Sequence, residues 1–207
     1  MIVAIHQPNF APWLGYFHKM QNADVFVLLD DVPISRRGYT RRVKIQGDRW
    51  LSVPVHSGFT TPINEITLAD EDFAASHHGI LRAAYGPSPE LDEFVAAERR
   101  AVAESDLLVD LNLAVLEHLR VKLAINTKMI RSSELDVQGT STERLVSIVS
   151  QLGGDIYLSG SGGRSYQDED LFEHVGIALR YDDFAAADVG EGTGYSALHS
   201  VLARVRS

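Results

Sequence analysis

The sequence predicts an α/β fold: a doubly wound, mostly parallel, Rossmann-like sheet of about five strands, with a β-hairpin and a helical insertion after strand two. Three observations lead there. Short apolar runs alternate with segments of helical periodicity at both ends of the chain. The opening reads strand, helix, strand within about 30 residues, the spacing of a right-handed parallel crossover. The middle of the chain breaks that alternation with a basic hairpin followed by helices.

Residues 2–5 form the first strand, followed by a proline-punctuated loop through His6, Pro8, Asn9 and Pro12. The spacing predicts a helix over residues 12–22, with proline in its first turn and Trp13, Tyr16, Phe17 and Met20 at helical intervals. A second apolar run, 25–29, ends in Asp30-Asp31. Two short alternating stretches, 41–45 and 50–55, flank Gln46-Gly47-Asp48 and read as a hairpin projecting from the sheet. Residues 69–120 are helical by composition, broken at Gly86-Pro87-Ser88-Pro89 and again at Ser105-Asp106. The strand and helix alternation resumes at 128–131, and Thr140-Ser141-Thr142-Glu143 has capping-box spacing for a helix ending near Gln151. Strands at 155–158 and 177–181, a short helix at 167–174 and a closing helix at 195–205 complete the pattern.

The 207 residues, 45% hydrophobic and 23% charged, suit one globular α/β domain over 1–207 whose insertion covers about 33–125; no repeat or linker divides it. The chain has no cysteine, which excludes disulfides, thiolate nucleophiles and cysteine-ligated metals. The amino-terminal segment lacks a basic leader, and no apolar stretch nears the roughly 20 residues that span a bilayer, so a cytoplasmic protein without a membrane partner is expected. A net charge of −9 argues against nucleic acid as a general partner. One window runs against that average: Arg36, Arg37, Arg41, Arg42, Lys44 and Arg49 face the single acid Asp48.

Open parallel sheets bind ligands beyond the carboxyl ends of their strands, which selects loops in advance. The first carries His6, Gln7, Asn9 and Trp13: an imidazole able to act as general base, two carboxamides able to orient a polar substrate, and an aromatic ring. Asp30-Asp31 follows the second strand, where a carboxylate could hold a cation, a hydroxyl or an ammonium; neighbouring strand residues point to opposite faces, so one of the two reaches a site. Ser159-Gly160-Ser161-Gly162-Gly163 offers bare backbone N–H groups to an anion, yet matches neither the dinucleotide fingerprint nor a P-loop. Ser132-Ser133-Glu134 and Asp182-Asp183 occupy the remaining strand ends. The basic window, interleaved with Tyr39 and Trp50, could clamp a phosphate or carboxylate, with Arg36 and Arg42 as the forks. His77, His78 and His118 lie in helical stretches and read as structural or surface residues, and no metal-ligand set is assigned.

Several motifs resemble the WbqC-like protein family, in order over nearly the whole chain. They are the run from Ile5 through His6-Gln7-Pro8-Asn9-Phe10-Ala11-Pro12-Trp13-Leu14-Gly15-Tyr16 to Phe17, the strand end Leu28-Leu29-Asp30-Asp31, the segment Trp50-Leu51-Ser52-Val53-Pro54-Val55, and Tyr157-Leu158-Ser159-Gly160 with Tyr166. The resemblance implies a bacterial protein from a setting of surface-polysaccharide or specialised-metabolite assembly, with Gln7, Pro12, Gly15, Tyr16, Asp31, Arg42, Gly160 and Tyr166 on motif positions. The family's Arg-Asn pair is here Arg42-Val43, which removes any hydrogen bonding by that Asn. A looser similarity to nucleotidylyltransferases and class I synthetase-like folds lacks the second imidazole of their signature, since Tyr16 follows Gly15.

These readings lead to a small biosynthetic transferase that forms an amide on an amino group of an activated sugar or small metabolite. His6 and Asp31 are its expected catalytic residues; Gln7, Asn9, Trp13, Tyr16, Asp30, Arg36, Arg42, Ser159, Gly160 and Tyr166 are the expected contacts to a small anionic substrate. No cofactor is required on that reading. An adenylate-forming or nucleotidyl-transfer enzyme using ATP and Mg²⁺, or a non-catalytic anion- or partner-binding module, are the alternatives.

Overall fold

The structure is a computed structural model describing all residues except 36–37, 57–59, 71, 166, 185–193 and 204–207. In chain order its main elements are β1 (Ile2–His6), α1 (Leu14–Gln21), β2 (Val25–Leu28), β3 (Arg42–Ile45), β4 (Arg49–Ser52), β5 (Val55–His56), β6 (Thr67–Leu68), α2 (Phe73–Tyr85), α3 (Pro89–Glu104) and α4 (Leu108–Lys122). They continue as β7 (Lys128–Arg131), α5 (Ser141–Gln151), β8 (Ile156–Ser159), α6 (Glu169–His174), β9 (Ala178–Tyr181) and α7 (Ala197–Ala203). They form two compact units: Met1–Gln7, Gly15–Asp30 and Ile125–Ala185 make the first, and Pro8–Leu14, Asp31–Ala124 and Ala186–Ser207 the second. No helix among the described residues is long and apolar enough to cross a membrane.

The first unit is a five-stranded sheet in the order β7-β2-β1-β8-β9, with every neighbouring pair parallel. Numbered within the sheet, the order is 3-2-1-4-5, that of a doubly wound Rossmann-like fold, and it reverses between β1 and β8. Period-two alternation sorts the strand residues onto two faces. Val3, Ile5, Val25, Val27 and Tyr157 share one core with Ile148 and Val149 of α5 and Phe172 of α6. Phe26 turns the other way, against Tyr16 and Lys19 of α1. The α/β expectation is met, with helices on both faces. Two details differ. Helix α1 begins at Leu14 rather than Pro12, because Trp13 bridges Ser196 and the Pro12 carbonyl accepts the Ala197 N–H at 2.8 Å. Helix α5 starts where the capping box puts it, but Thr140 forms no side-chain cap and Ser141 enters at φ +50°, which displaces the capping geometry.

The second unit holds the hairpin and the helices. The β3–β4 register pairs Arg42 with Ser52 and Lys44 with Trp50 on one face, while Val43, Ile45 and Leu51 on the other are buried. Gly47 and Asp48 supply the positive φ of the turn. The expected breaks separate the helices: Gly86 ends α2 at φ +77°, and Ser88 caps α3 by accepting the Leu91 N–H at 3.2 Å with Pro89 in the first turn. The loop 8–14 belongs to this unit. Asn112 holds it by donating to the carbonyls of Pro8 and Thr40 at 2.8 and 2.7 Å.

Candidate functional site

In the first unit the last residues of β1 meet α1. The His6 carbonyl accepts the Leu29 N–H from the β2 side at 2.8 Å, so the Ile5 carbonyl, one residue earlier, points to the β8 side. The β1–β8 pairing ends at Ala4 and Leu158, and among the described residues no backbone N–H is bonded to the Ile5 carbonyl. Lys19 does: its ammonium, on a side chain 3% exposed, donates to that oxygen at 3.0 Å where the sheet order reverses. Burial pulls the Lys19 amine down to about 7, with Asp182 pulling partway back.

His6 lies on the same side, its ring edge-on to Tyr16 at 4.8 Å. Nδ1 contacts the Gln7 carbonyl at 3.1 Å, and a carbonyl only accepts, so Nδ1 carries the proton and Nε2 is left as a bare acceptor. Burial first, and the Lys19 charge second, pull the imidazole from an ordinary 6.5 down to about 3, so it is neutral at pH 7. Tyr16 donates to the same Gln7 carbonyl at 3.2 Å. Gln7 and Tyr16 thus orient the histidine through one backbone oxygen.

The glycine-rich loop leaves β8 in the same unit as a 3-10 turn, Ser161–Ser165. Ser159 is buried and donates to the Gly160 carbonyl at 3.2 Å. A Cβ on Gly160 or Gly162 would meet nothing within 4 Å, whereas one on Gly163 would lie 2.3 Å from Ser159 Oγ. A side chain at position 163 would therefore displace the Ser159 hydroxyl, whereas Gly160 and Gly162 have open space where a Cβ would stand, and their carbonyls accept from Gly163 N and Ser165 Oγ at 2.9 and 3.1 Å.

Asp30, at the end of β2, is fully buried. One carboxylate oxygen accepts from Ser132 Oγ and Ser133 N at 3.2 and 3.0 Å; the other accepts from Arg131 Nε and Ser133 Oγ at 2.7 and 2.9 Å. All four lone-pair positions are used in tying β2 to β7.

Of the other residues singled out from sequence, Asn9, Trp13, Asp31 and Arg42 belong to the second unit. Asn9 is buried, Trp13 and Asp31 half-buried. Arg42 stacks its guanidinium over the 40% exposed Trp50 at 4.6 Å, and Lys44 flanks the same ring at 5.8 Å. Arg36 and Tyr166 lie outside the described residues.

Sequence reasoning missed Lys19, although it sits three residues after Tyr16 and one before Met20, inside the apolar stripe of α1. A charged residue in such a stripe is the signal. His77 follows the same logic and is buried in the second unit, paired with Glu98 at 2.7 Å.

The model of the WbqC-like protein family matches residues 7–189. A curated relative, the uncharacterized protein Rv1507c of Mycobacterium tuberculosis (strain ATCC 25618 / H37Rv), is 30% identical over 190 residues, which cover 88% of this chain and 82% of the relative. The chain belongs to the WbqC-like protein family.

Proposed function

We propose that this WbqC-like protein is a small biosynthetic enzyme of the cytoplasm, a transferase joining an acyl or aminoacyl group to an amino group of an activated sugar or small anionic metabolite. The observation that carries the reading is the bare Nε2 of a neutral, oriented His6 at the carboxyl end of β1. As the amine nitrogen attacks the acyl carbon, its proton passes to Nε2 and then to the leaving group as the acyl bond breaks. An anionic donor beside His6 offsets the Lys19 charge and so raises the affinity of Nε2 for that proton when it is released. The open space beside Gly160 and Gly162 leaves room for the anionic part of such a donor. With no cysteine, the transfer is direct or uses a non-thiol intermediate.

Native mass spectrometry of the purified protein tests this by identifying a retained metabolite, which then serves as the assay substrate. His6→Gln is expected to keep that ligand and lower turnover 10²- to 10⁴-fold; unchanged turnover overturns the role of His6. The strand order and the open glycine loop also favour a second reading, adenylate-forming or nucleotidyl transfer. It requires a saturable rise in melting temperature with ATP and Mg²⁺, and the transferase reading does not.

A further inference from the structure

The strand-end loop after β9 meets α1 in the first unit at a group of side chains unused by the transferase reading. His18 Nδ1 and Asp182 Oδ1 are 2.9 Å apart, and ligand atoms of His18, Asp182 and Asp183 all lie within 4.8 Å of one another. We infer that His18, Asp182 and Asp183 form a binding site for a divalent transition-metal ion, with three protein donors on one side of an octahedral shell.

Four features support it. In an octahedron with bonds of about 2.1 Å, adjacent donors stand about 3 Å apart, which the His18–Asp182 separation already matches. A third donor on the same side also stands about 3 Å from the other two, so the exposed Asp183, whose ligand atom lies within 4.8 Å of theirs, needs to swing in by up to about 1.8 Å to close the set. Asp182 is held firmly: its N–H donates to the Ser159 carbonyl at 2.8 Å, and its side chain is only 9% exposed. His18 is oriented as well. The Phe184 ring lies 5.1 Å from its own, and the Asn22 side-chain nitrogen, which donates to the His18 carbonyl at 2.9 Å, stands 3.2 Å from Nε2 and 3.4 Å from Nδ1.

One imidazole with two carboxylates is a mixed nitrogen and oxygen set, which suits Mn²⁺, Fe²⁺ or Zn²⁺ better than the all-oxygen cages of Ca²⁺ and Mg²⁺. Three positions of the shell stay open to water or to an anionic ligand. The inference is independent of the transferase reading, since it concerns the ion alone.

Calorimetric titration of the full chain with MnCl₂, after chelator treatment and in excess Mg²⁺, tests it. The expected result is saturable binding of one ion per chain, weakened at least tenfold by Asp182→Asn and by His18→Ala. Asp183→Asn, at an exposed position that folding does not need, must weaken binding as well and serves if the other variants fail to fold. Absence of saturable binding overturns the inference, as does one-to-one binding that all three variants retain.

Discussion

The pair formed by His77 and Glu98 offers a demanding test of how the second unit is held together. His77 is 2% exposed and Glu98 fully buried. His77 Nε2 faces the Ser52 carbonyl at 3.1 Å, so that nitrogen carries a proton, and Nδ1 meets Glu98 Oε1 at 2.7 Å. One further proton is shared across this short contact. Burial raises the Glu98 carboxyl, its bond to His77 pulls it back, and Oε2 has no partner among the described residues. Removing one member strands the other in an apolar surround that includes Phe10 and Phe73. Glu98→Ala should therefore destabilise by about 3–5 kcal/mol, the usual cost of breaking a buried pair. For a chain of this size each kcal/mol moves the melting temperature by about 2–4 °C, so the expected fall is about 6–20 °C. Glu98→Gln keeps a donor toward Nδ1 and should cost about 1 kcal/mol. The double variant His77→Phe with Glu98→Leu, which removes both polar groups, should recover most of the loss of Glu98→Ala. Urea and thermal unfolding measure all three. A Glu98→Ala cost under 1 kcal/mol, or equal losses for Glu98→Ala and Glu98→Gln, would refute the reasoning.

Two further outcomes follow from the first unit. The His6 imidazole, near 3 when folded and 6.5 when unfolded, makes the unfolded chain the better proton binder between those values. Its contribution to stability is intact above about pH 6.5 and is lost as pH falls toward 3, by at most about 1.4 kcal/mol per pH unit; His6→Gln should flatten that part of the stability profile measured by urea unfolding, and an unchanged slope counts against a lowered His6. Asp30→Ala should cost about 3 kcal/mol, the low end for a buried pair because Arg131 is 28% exposed. Full stability combined with lost ligand binding would instead make Asp30 a substrate contact.

The alternation of strands and helices was legible because each element carries its period openly, as in Val3, Ile5, Val25 and Val27 on one sheet face. Helix boundaries were less so. Leu14 rather than Pro12 opens α1 because Ser196 and Ala197, more than 180 positions away, engage Trp13 and Pro12. No local pattern encodes such a partner. The strand-end rule pointed to His6, Ser159 and Asp182-Asp183, but the surroundings of His6 and Asp182 depend on α1, whose Tyr16 meets the His6 ring and whose His18 meets the Asp182 carboxylate. Asp30 shows the converse: its position after a strand suggested a ligand contact, whereas Arg131, Ser132 and Ser133 use its carboxylate. Polar residues inside apolar stripes, Lys19, His77 and Glu98, were the readable clue.

The central position of β1 and β2 also sets an order for folding. Strand β2 lies next to β7, yet the residues that join them, Asp30 and Arg131, are 101 positions apart. Closing that interval costs only about 1.4 kcal/mol more than closing one of 20 residues, so the insertion weighs little on equilibrium stability. Its weight falls on kinetics. During synthesis at 5–20 residues per second, the paired β1 and β2 wait roughly 5–20 s for β7, with the hydrogen-bonding edge of β2 unpaired. The local helices α2, α3 and α4 have time to assemble first, and chaperone demand should track the length of that interval rather than the stability of the finished sheet.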